Sequence, residues 1–151
     1  NFAGIHLFPT VMVFAAMLPV YFGMQLTVNS ISIVSATGFT ISLLATLIQL
    51  IADEQLRSFR KHNAKHIHIE TGLWKYSRHP NYLGEILFWF GLWLMLAGTS
   101  TDYVFTAIGF LAMFLMFIFI SIPMMEEKNM NSKPGYLDYI KRVSMLFPFK
   151  F

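Results

Sequence analysis

The stretch "TGLWKYSRHPNYLGEILFWFGLWLML", residues 71–96, sets a basic, turn-forming segment directly against an apolar run that holds one carboxylate, Glu85. His79–Pro80 reads as a helix start, because proline at the first helical position forfeits no intrahelical hydrogen bond and its fixed φ suits the first turn. From Asn81 to Gly98 the residues are apolar over a length suited to a membrane span, which needs roughly 17–25 of them. Arg78, His79, Asn81, Tyr82 and Glu85 therefore stand together at the mouth of an apolar helix.

The rest of the chain fits that setting. Of 151 residues, 56% are hydrophobic and only 13% charged, a balance outside that of soluble domains. No internal repeat or Gly/Ser linker divides the sequence, so a single all-α transmembrane domain over residues 1–151 is expected. Cysteine is absent, which excludes disulfides, thiolate nucleophiles and Cys-based metal centres. The sequence opens at Asn1 without a basic n-region followed by a small-residue cleavage site, so no signal peptide is expected within it.

Four apolar windows are expected to span: Ile5–Leu26, Ile31–Ala52, Asn81–Gly98 and Tyr103–Met125. Pro9 and Pro19 predict a kink in the first. The connections "TVNS" and "GTSTD" are short, which predicts antiparallel hairpins. Every Lys and Arg lies between the second and third windows or after the fourth, so residues 53–80 and the C-terminal tail are expected to be cytoplasmic. The lipid bilayer is then the first partner, and juxtamembrane cations facing anionic head groups account for much of the basic charge. Nucleic-acid binding has no support beyond that charge.

Three polar features fall on that one side. Asn81 and Glu85 stand four residues apart with Tyr82 beside them, so amide, phenol and carboxylate share a helix face. An ionisable group inside a span is costly and marks a paired or functional site; Arg78 is its expected partner, and a topology anchor at interface depth is the plainer alternative. In "IADEQLRSFRK", residues 51–61, Asp53 has the spacing to pair with Arg57 or Arg60 along a solvated helix face. Finally, "MMEEKNMNSKPGYLDYIKRVSMLFPF", from Met124 on, puts Glu126 and Glu127 at the expected end of the fourth span, where anions oppose the helix dipole and call for a cation such as Arg78, Lys75, Lys141 or Arg142. "PGYLDYIKR" predicts a turn and a short amphipathic helix with Tyr136, Tyr139 and Ile140 inward and Lys141 and Arg142 outward, which as an interfacial helix needs no ligand.

His62, His66 and His68 invite a metal reading, but 62/66 has helical and 66/68 strand spacing, so a solvated loop is expected and no metal. His6 reads as a lone interfacial histidine. The methionines and phenylalanines read as lipid-facing and core material, and no GxGxxG or P-loop is present.

At these residues the chain resembles a known group. "TGLWKYSRHPNYLGEILFWFGLWL" with "EEKNMNSKPGYLDYIKRVSMLFPF" is similar to bacterial membrane proteins that share the C-terminal domain of steroid 5-alpha-reductases, over about residues 51–151. It also resembles the isoprenylcysteine carboxyl methyltransferases and phospholipid N-methyltransferases, which share the fold and carry an Arg-His-Pro-x-Tyr-x-Gly motif and a later Glu pair. The resemblance implies that residues 51–151 are a cofactor-binding portion, with Arg78, His79, Asn81, Glu85, Glu126, Glu127, Tyr139, Lys141 and Arg142 as cofactor-binding candidates. "NYLGE" resembles the reductases, which implies NADPH and reduction of a carbon–carbon double bond in a steroid- or lipid-like substrate. Glu85, Tyr82 and Tyr76 would then be the catalytic candidates. "RHPNY" with "MEEK" is also compatible with S-adenosylmethionine and methylation of a lipid or prenylated substrate, and "MEEKNMNSKPG" departs from the Arg/Asp-rich stretch of the sterol reductases. A non-catalytic membrane subunit is the third expectation, and oligomeric state is not legible.

Overall fold

The computed structural model describes residues 8–27 and 30–147. Among them the secondary structure is helical: α1 (Phe8–Ala16), α2 (Leu18–Gly23), α3 (Ile33–His62), α4 (Pro80–Thr99), α5 (Ala107–Met116), α6 (Ile122–Ser132) and α7 (Tyr136–Arg142). A 3-10 turn at Thr101–Thr106 leads into α5, and a π turn at Phe117–Ser121 joins α5 to α6. Three helical runs are long and apolar enough to cross a membrane: Ile33–His62, Pro80–Thr99 and Thr101–Ser132. The first expected span is represented by a shorter apolar helical stretch, Thr10–Gly23. It breaks at Met17, where Pro19 cannot donate to the carbonyl four residues back and α2 starts afresh. His6, part of "TVNS" and Lys150 lie outside the described residues.

The helices run further than their apolar windows. α3 continues ten residues past Ala52 to His62, because Glu54, Gln55, Leu56, Arg57, Arg60 and Lys61 are good helix formers that keep the ladder going into a polar setting. Likewise α6 ends at Ser132 rather than at Met125, so Glu126 sits inside a helix and not on its last turn. Pro123 enters that run just after the π turn, whose wider spacing accommodates the missing N–H and the bulk of the ring.

The chain divides into two compact units. One comprises Asn1–Leu44 and Ile86–Met116. Here α3 and α4 meet through small residues: a Cβ at Gly91 would lie 2.6 Å from the Gly38 carbonyl oxygen, and one at Gly38 would lie 2.6 Å from Met95 N. Hydroxyls seal the seam, with Ser32 Oγ donating to Gly98 O (2.7 Å), Ser35 Oγ to Met95 O (2.9 Å) and Ser42 Oγ to Phe88 O (3.1 Å). Close backbone approach and such hydroxyl bonds are how helices associate where lipid removes the hydrophobic drive. Phe22 stacks on Tyr103 at 4.8 Å, tying α2 to the 3-10 turn.

The second unit comprises Ala45–Glu85 and Phe117–Phe151 and holds all eleven Lys and Arg residues of the sequence. Gly84 repeats the close packing, a Cβ there falling 2.8 Å from Ala45 O. Ala52, Ile69 and Trp74 form one core cluster with Leu56, Phe59 and Leu73; Trp74 Nε1 donates to Ala52 O at 3.1 Å. Tyr136, Tyr139 and Val143 form another with Ile140. Gly135 enters α7 at φ +80°, a left-handed conformation that only glycine takes without strain. α7 buries Tyr136 and Tyr139 and exposes Lys141 and Arg142, the faces its sequence predicts. Along α3 the ion pair differs from the expected one: Arg57 takes Glu54 at 2.8 Å rather than Asp53, since both spacings reach and the i,i+3 rotamer prevails.

Candidate functional site

The "SRHP" segment, residues 77–80, is pinned by the tail. Ser77 and Ser144 form an isolated parallel bridge; Arg78 N donates to Ser144 O at 2.9 Å and His79 N to Met145 O at 3.2 Å. Tyr139 Oη donates to Trp74 O at 2.5 Å from within α7. Three hydrogen bonds to backbone carbonyls thus fix the segment that leads into α4 to residues 139–145 before any side chain of the motif acts.

Arg78 spends its donors on protein. Its Nε reaches Glu126 Oε1 at 2.7 Å, and Nη1 donates to Ile140 O (3.0 Å) and Val143 O (2.5 Å). The last two are carbonyls at the C-terminal end of α7, where a cation also meets the negative end of the helix dipole. His79 Nε2 donates to the same Glu126 oxygen at 3.0 Å. Glu126 thus accepts from both residues on one oxygen, and all three side chains are largely buried. Tyr82 lies flat on the His79 ring, 5.4 Å between centroids and 8° between planes, and packs on Phe117 at 4.7 Å.

Glu85 is oriented elsewhere. It accepts from Gln49 Nε2 at 2.6 Å, so its partner on α3 is an amide, and the expected Arg78 is taken by Glu126. Asn81 and Tyr82 line a pocket that does not include Glu85. Tyr76 is exposed, with Lys75 Nζ 5.8 Å from its ring centre. Glu127 is exposed on α6. Lys141 pairs with Asp138 at 3.1 Å on the outer face of α7, and Arg142 pairs with Glu70 at 2.8 Å.

The pocket lies among α3, the 63–79 segment, α4, α6 and α7. Arg60, His68, Arg78, His79, Asn81, Tyr82, Asn129, Lys133, Tyr136 and Tyr139 are among the residues that line it. Its cavity measures about 70 Å³, space on the order of five water molecules. That suits a phosphoryl or ribose group rather than a whole dinucleotide. Among the described residues the side chains of Arg60 and Lys133 make neither an ion pair nor a hydrogen bond. Burial pulls the Lys133 ammonium below the usual lysine range, and repulsion from Arg60 and Lys128 adds to it. Tyr139 is pushed well above the ordinary phenol range by burial, with Tyr136 and Glu70 adding to it, which keeps its hydroxyl a donor.

Of the residues singled out in the sequence, the fold brings Arg78, His79, Asn81, Tyr82, Glu126 and Tyr139 together. Arg60, His68, Asn129 and Lys133 join them without having been singled out as ligand-binding. Lys133 had a signal: it precedes "PG" at the end of a helix, where a cation serves the C-terminal dipole. Arg60 and His68 had none, since only tertiary packing brings them to the pocket. Among the described residues no three His, Asp or Glu groups are arranged to hold a metal ion.

Among the described residues, an all-helical fold with three helices long and apolar enough to cross a membrane marks an integral membrane protein, and its charged unit carries a polar pocket. Its residues 1–143 match the family described as "Protein of unknown function (DUF1295)", and the chain belongs to that family. Neither the curated proteins nor the solved structures give a match.

Proposed function

We propose that the protein is an integral-membrane reductase that uses NADPH to reduce a carbon–carbon double bond in a steroid- or lipid-like substrate. The observation that carries this reading is the pair Arg60 and Lys133. Two cations without a counter-charge at one small pocket, one of them half-buried, repel each other and gain from an anion between them. The phosphates of NADPH provide that anion. S-adenosylmethionine would instead bring a sulfonium to an already cationic site, which disfavours the methyltransferase reading. In the reading proposed, NADPH supplies the hydride. Arg60 and Lys133 hold phosphate, Asn81 offers its amide to a ribose or carboxamide, and Arg78, His79 and Glu126 keep the motif in place. Tyr82, whose hydroxyl makes no hydrogen bond among the described residues, is better placed than Tyr76 to donate to a substrate oxygen. Glu85, inside the apolar helix, is assigned to the substrate end.

The same reading takes Thr10–Gly23, with the residues before it, as a fourth membrane crossing. It sets residues 53–80 and the tail on the cytoplasmic side of a bacterial inner membrane, following the one-sided distribution of Lys and Arg. The test is thermal unfolding of detergent-purified protein with NADPH, NADH, S-adenosylmethionine or S-adenosylhomocysteine, beside an Arg60→Ala/Lys133→Ala variant. Stabilisation by NADPH that the double variant loses supports the reductase. Stabilisation by the methyl donor and its product replaces it with the methyltransferase, and silence from all four leaves a non-catalytic subunit.

A further inference from the structure

His68 belongs to the 63–71 loop, whose composition suggests only a solvated connection, yet its side chain is 11% exposed. Its ring packs edge-on against Tyr136 at 5.3 Å and lies 5.1 Å from Tyr139. Nε2 lies 2.7 Å from Glu70 Oε1, and because a carboxylate only accepts, Nε2 carries the hydrogen. Glu70 Oε2 is in turn held by Arg142 Nη2 at 2.8 Å. The chain Arg142–Glu70–His68 therefore fixes the orientation of the imidazole and leaves Nδ1 as a lone-pair acceptor. Among the described residues, that atom is the buried side-chain nitrogen or oxygen left without a hydrogen-bond partner. His68 lines the same pocket as Arg60, Asn81 and Lys133. Buried polar atoms are almost always paired, so an orphan in a ring this firmly held, at the wall of a polar cavity, marks a bond that a ligand completes.

We propose that His68 is a ligand-contacting residue whose Nδ1 accepts a hydrogen bond from a hydroxyl or amide N–H of the ligand, with Glu70 and Arg142 as positioning residues. With the two cations beside it, the pocket selects a phosphorylated ligand that also carries hydrogen-bond donors, as a ribose phosphate does. The proposal rests on the ligand being bound in this pocket, and under the reductase reading that ligand is NADPH. Arg142, which the sequence resemblance offers as a direct cofactor contact, then acts through Glu70.

Two substitutions separate a ligand contact from a structural role. His68→Phe keeps the ring packing on Tyr136 and Tyr139 but removes both nitrogens, whereas His68→Asn retains an acceptor at the δ position. Without ligand, His68→Phe removes an unpaired buried atom but also the bond to Glu70, so its unfolding temperature is expected to stay near that of the wild type; a large fall would assign His68 to the fold alone and overturn the proposal. In NADPH titrations followed by thermal shift, His68→Phe should bind about 10-fold more weakly, and His68→Asn should restore most of the loss. Arg142→Met should weaken binding in the wild type and add little in the His68→Phe background, the coupling expected of a residue that works through another. Equal NADPH binding by wild type and His68→Phe removes His68 from the site and leaves the reductase reading standing. If S-adenosylmethionine stabilises the wild type in place of NADPH and His68→Phe loses that effect, the cofactor assignment falls and the role of His68 stands. A wild type that responds to none of these probes overturns both.

Discussion

Arg78 Nε and Glu126 Oε1 are 2.7 Å apart, and His79 Nε2 reaches the same oxygen at 3.0 Å. This pair spans 48 residues of sequence and closes the charged unit around the start of α4. Because both partners are largely buried, removing one strands the other in a poor solvent for charge. Arg78→Met should therefore cost about 3–5 kcal/mol, read as a lower unfolding temperature in detergent. Arg78→Lys should recover only part, since a single ammonium cannot bond the carboxylate and two carbonyls in the same fork.

Tyr139→Phe tests the neighbouring lock. The substitution keeps the ring in its buried place and deletes the donor to Trp74 O. A loss of about 1–3 kcal/mol is expected, the usual range when a buried carbonyl is left unpaired. Chemical denaturation of the two proteins side by side measures it.

Gly91→Ala should loosen the α3/α4 seam of the apolar unit. The added methyl has to displace the Gly38 carbonyl at 2.6 Å, which is backbone and does not yield like a side chain. A destabilisation of about 1–3 kcal/mol is expected. Gly23→Ala, whose nearest contact would be Leu96 Cδ1 at 3.8 Å, is the control that should unfold like the wild type.

Glu70 predicts an acid dependence. Burial works against its carboxylate, but hydrogen bonds from Arg142 and His68 and the Arg142 charge outweigh it, and its pKa lies below the usual carboxylate value. A lowered folded pKa adds stability that is fully present above the unfolded value of about 4.3 and disappears as pH falls through the folded one. The difference in unfolding temperature between wild type and Glu70→Gln should thus hold steady from pH 7 to about 5 and shrink below about 4.3. A difference that grows on acidification would contradict this.

Glu85→Gln separates chemistry from folding. Its side-chain oxygen can still accept from Gln49 Nε2, so the unfolding temperature should change little. Under the reductase reading turnover should be lost, and an active variant would remove Glu85 from the reaction.

What the sequence made legible was local. The Pro80 helix start, the break before Pro19 and the inward tyrosines of α7 follow from spacing and backbone chemistry within a few residues, and the structure has them. Pairing across the fold was legible only in part. Glu85 meets Gln49 rather than Arg78 because α3 arrives beside α4, which no window of sequence encodes, whereas Arg78 was among the four cations that the position of Glu126 called for, and the structure selects it. The small-residue seam lay open to reading, since Gly84, Gly91 and Gly98 recur every seven residues, the interval that keeps one helix face toward a neighbour. Arg60, His68 and Lys133 looked like solvated charge because their common pocket exists only once five segments converge.

The π turn at Phe117–Ser121 sets a phase. Phe117 rests on Tyr82 and Glu126 grips Arg78 and His79, yet nine residues of regular α-helix would leave those two positions about half a turn apart, on opposite faces. The wider turn absorbs one residue and brings them to within about a quarter-turn. Inserting a single residue between 117 and 121 would leave composition and hydropathy almost unchanged, and would swing Glu126 about 100° away from Arg78 and His79. The reading frame of one helix thus governs whether the site is assembled at all.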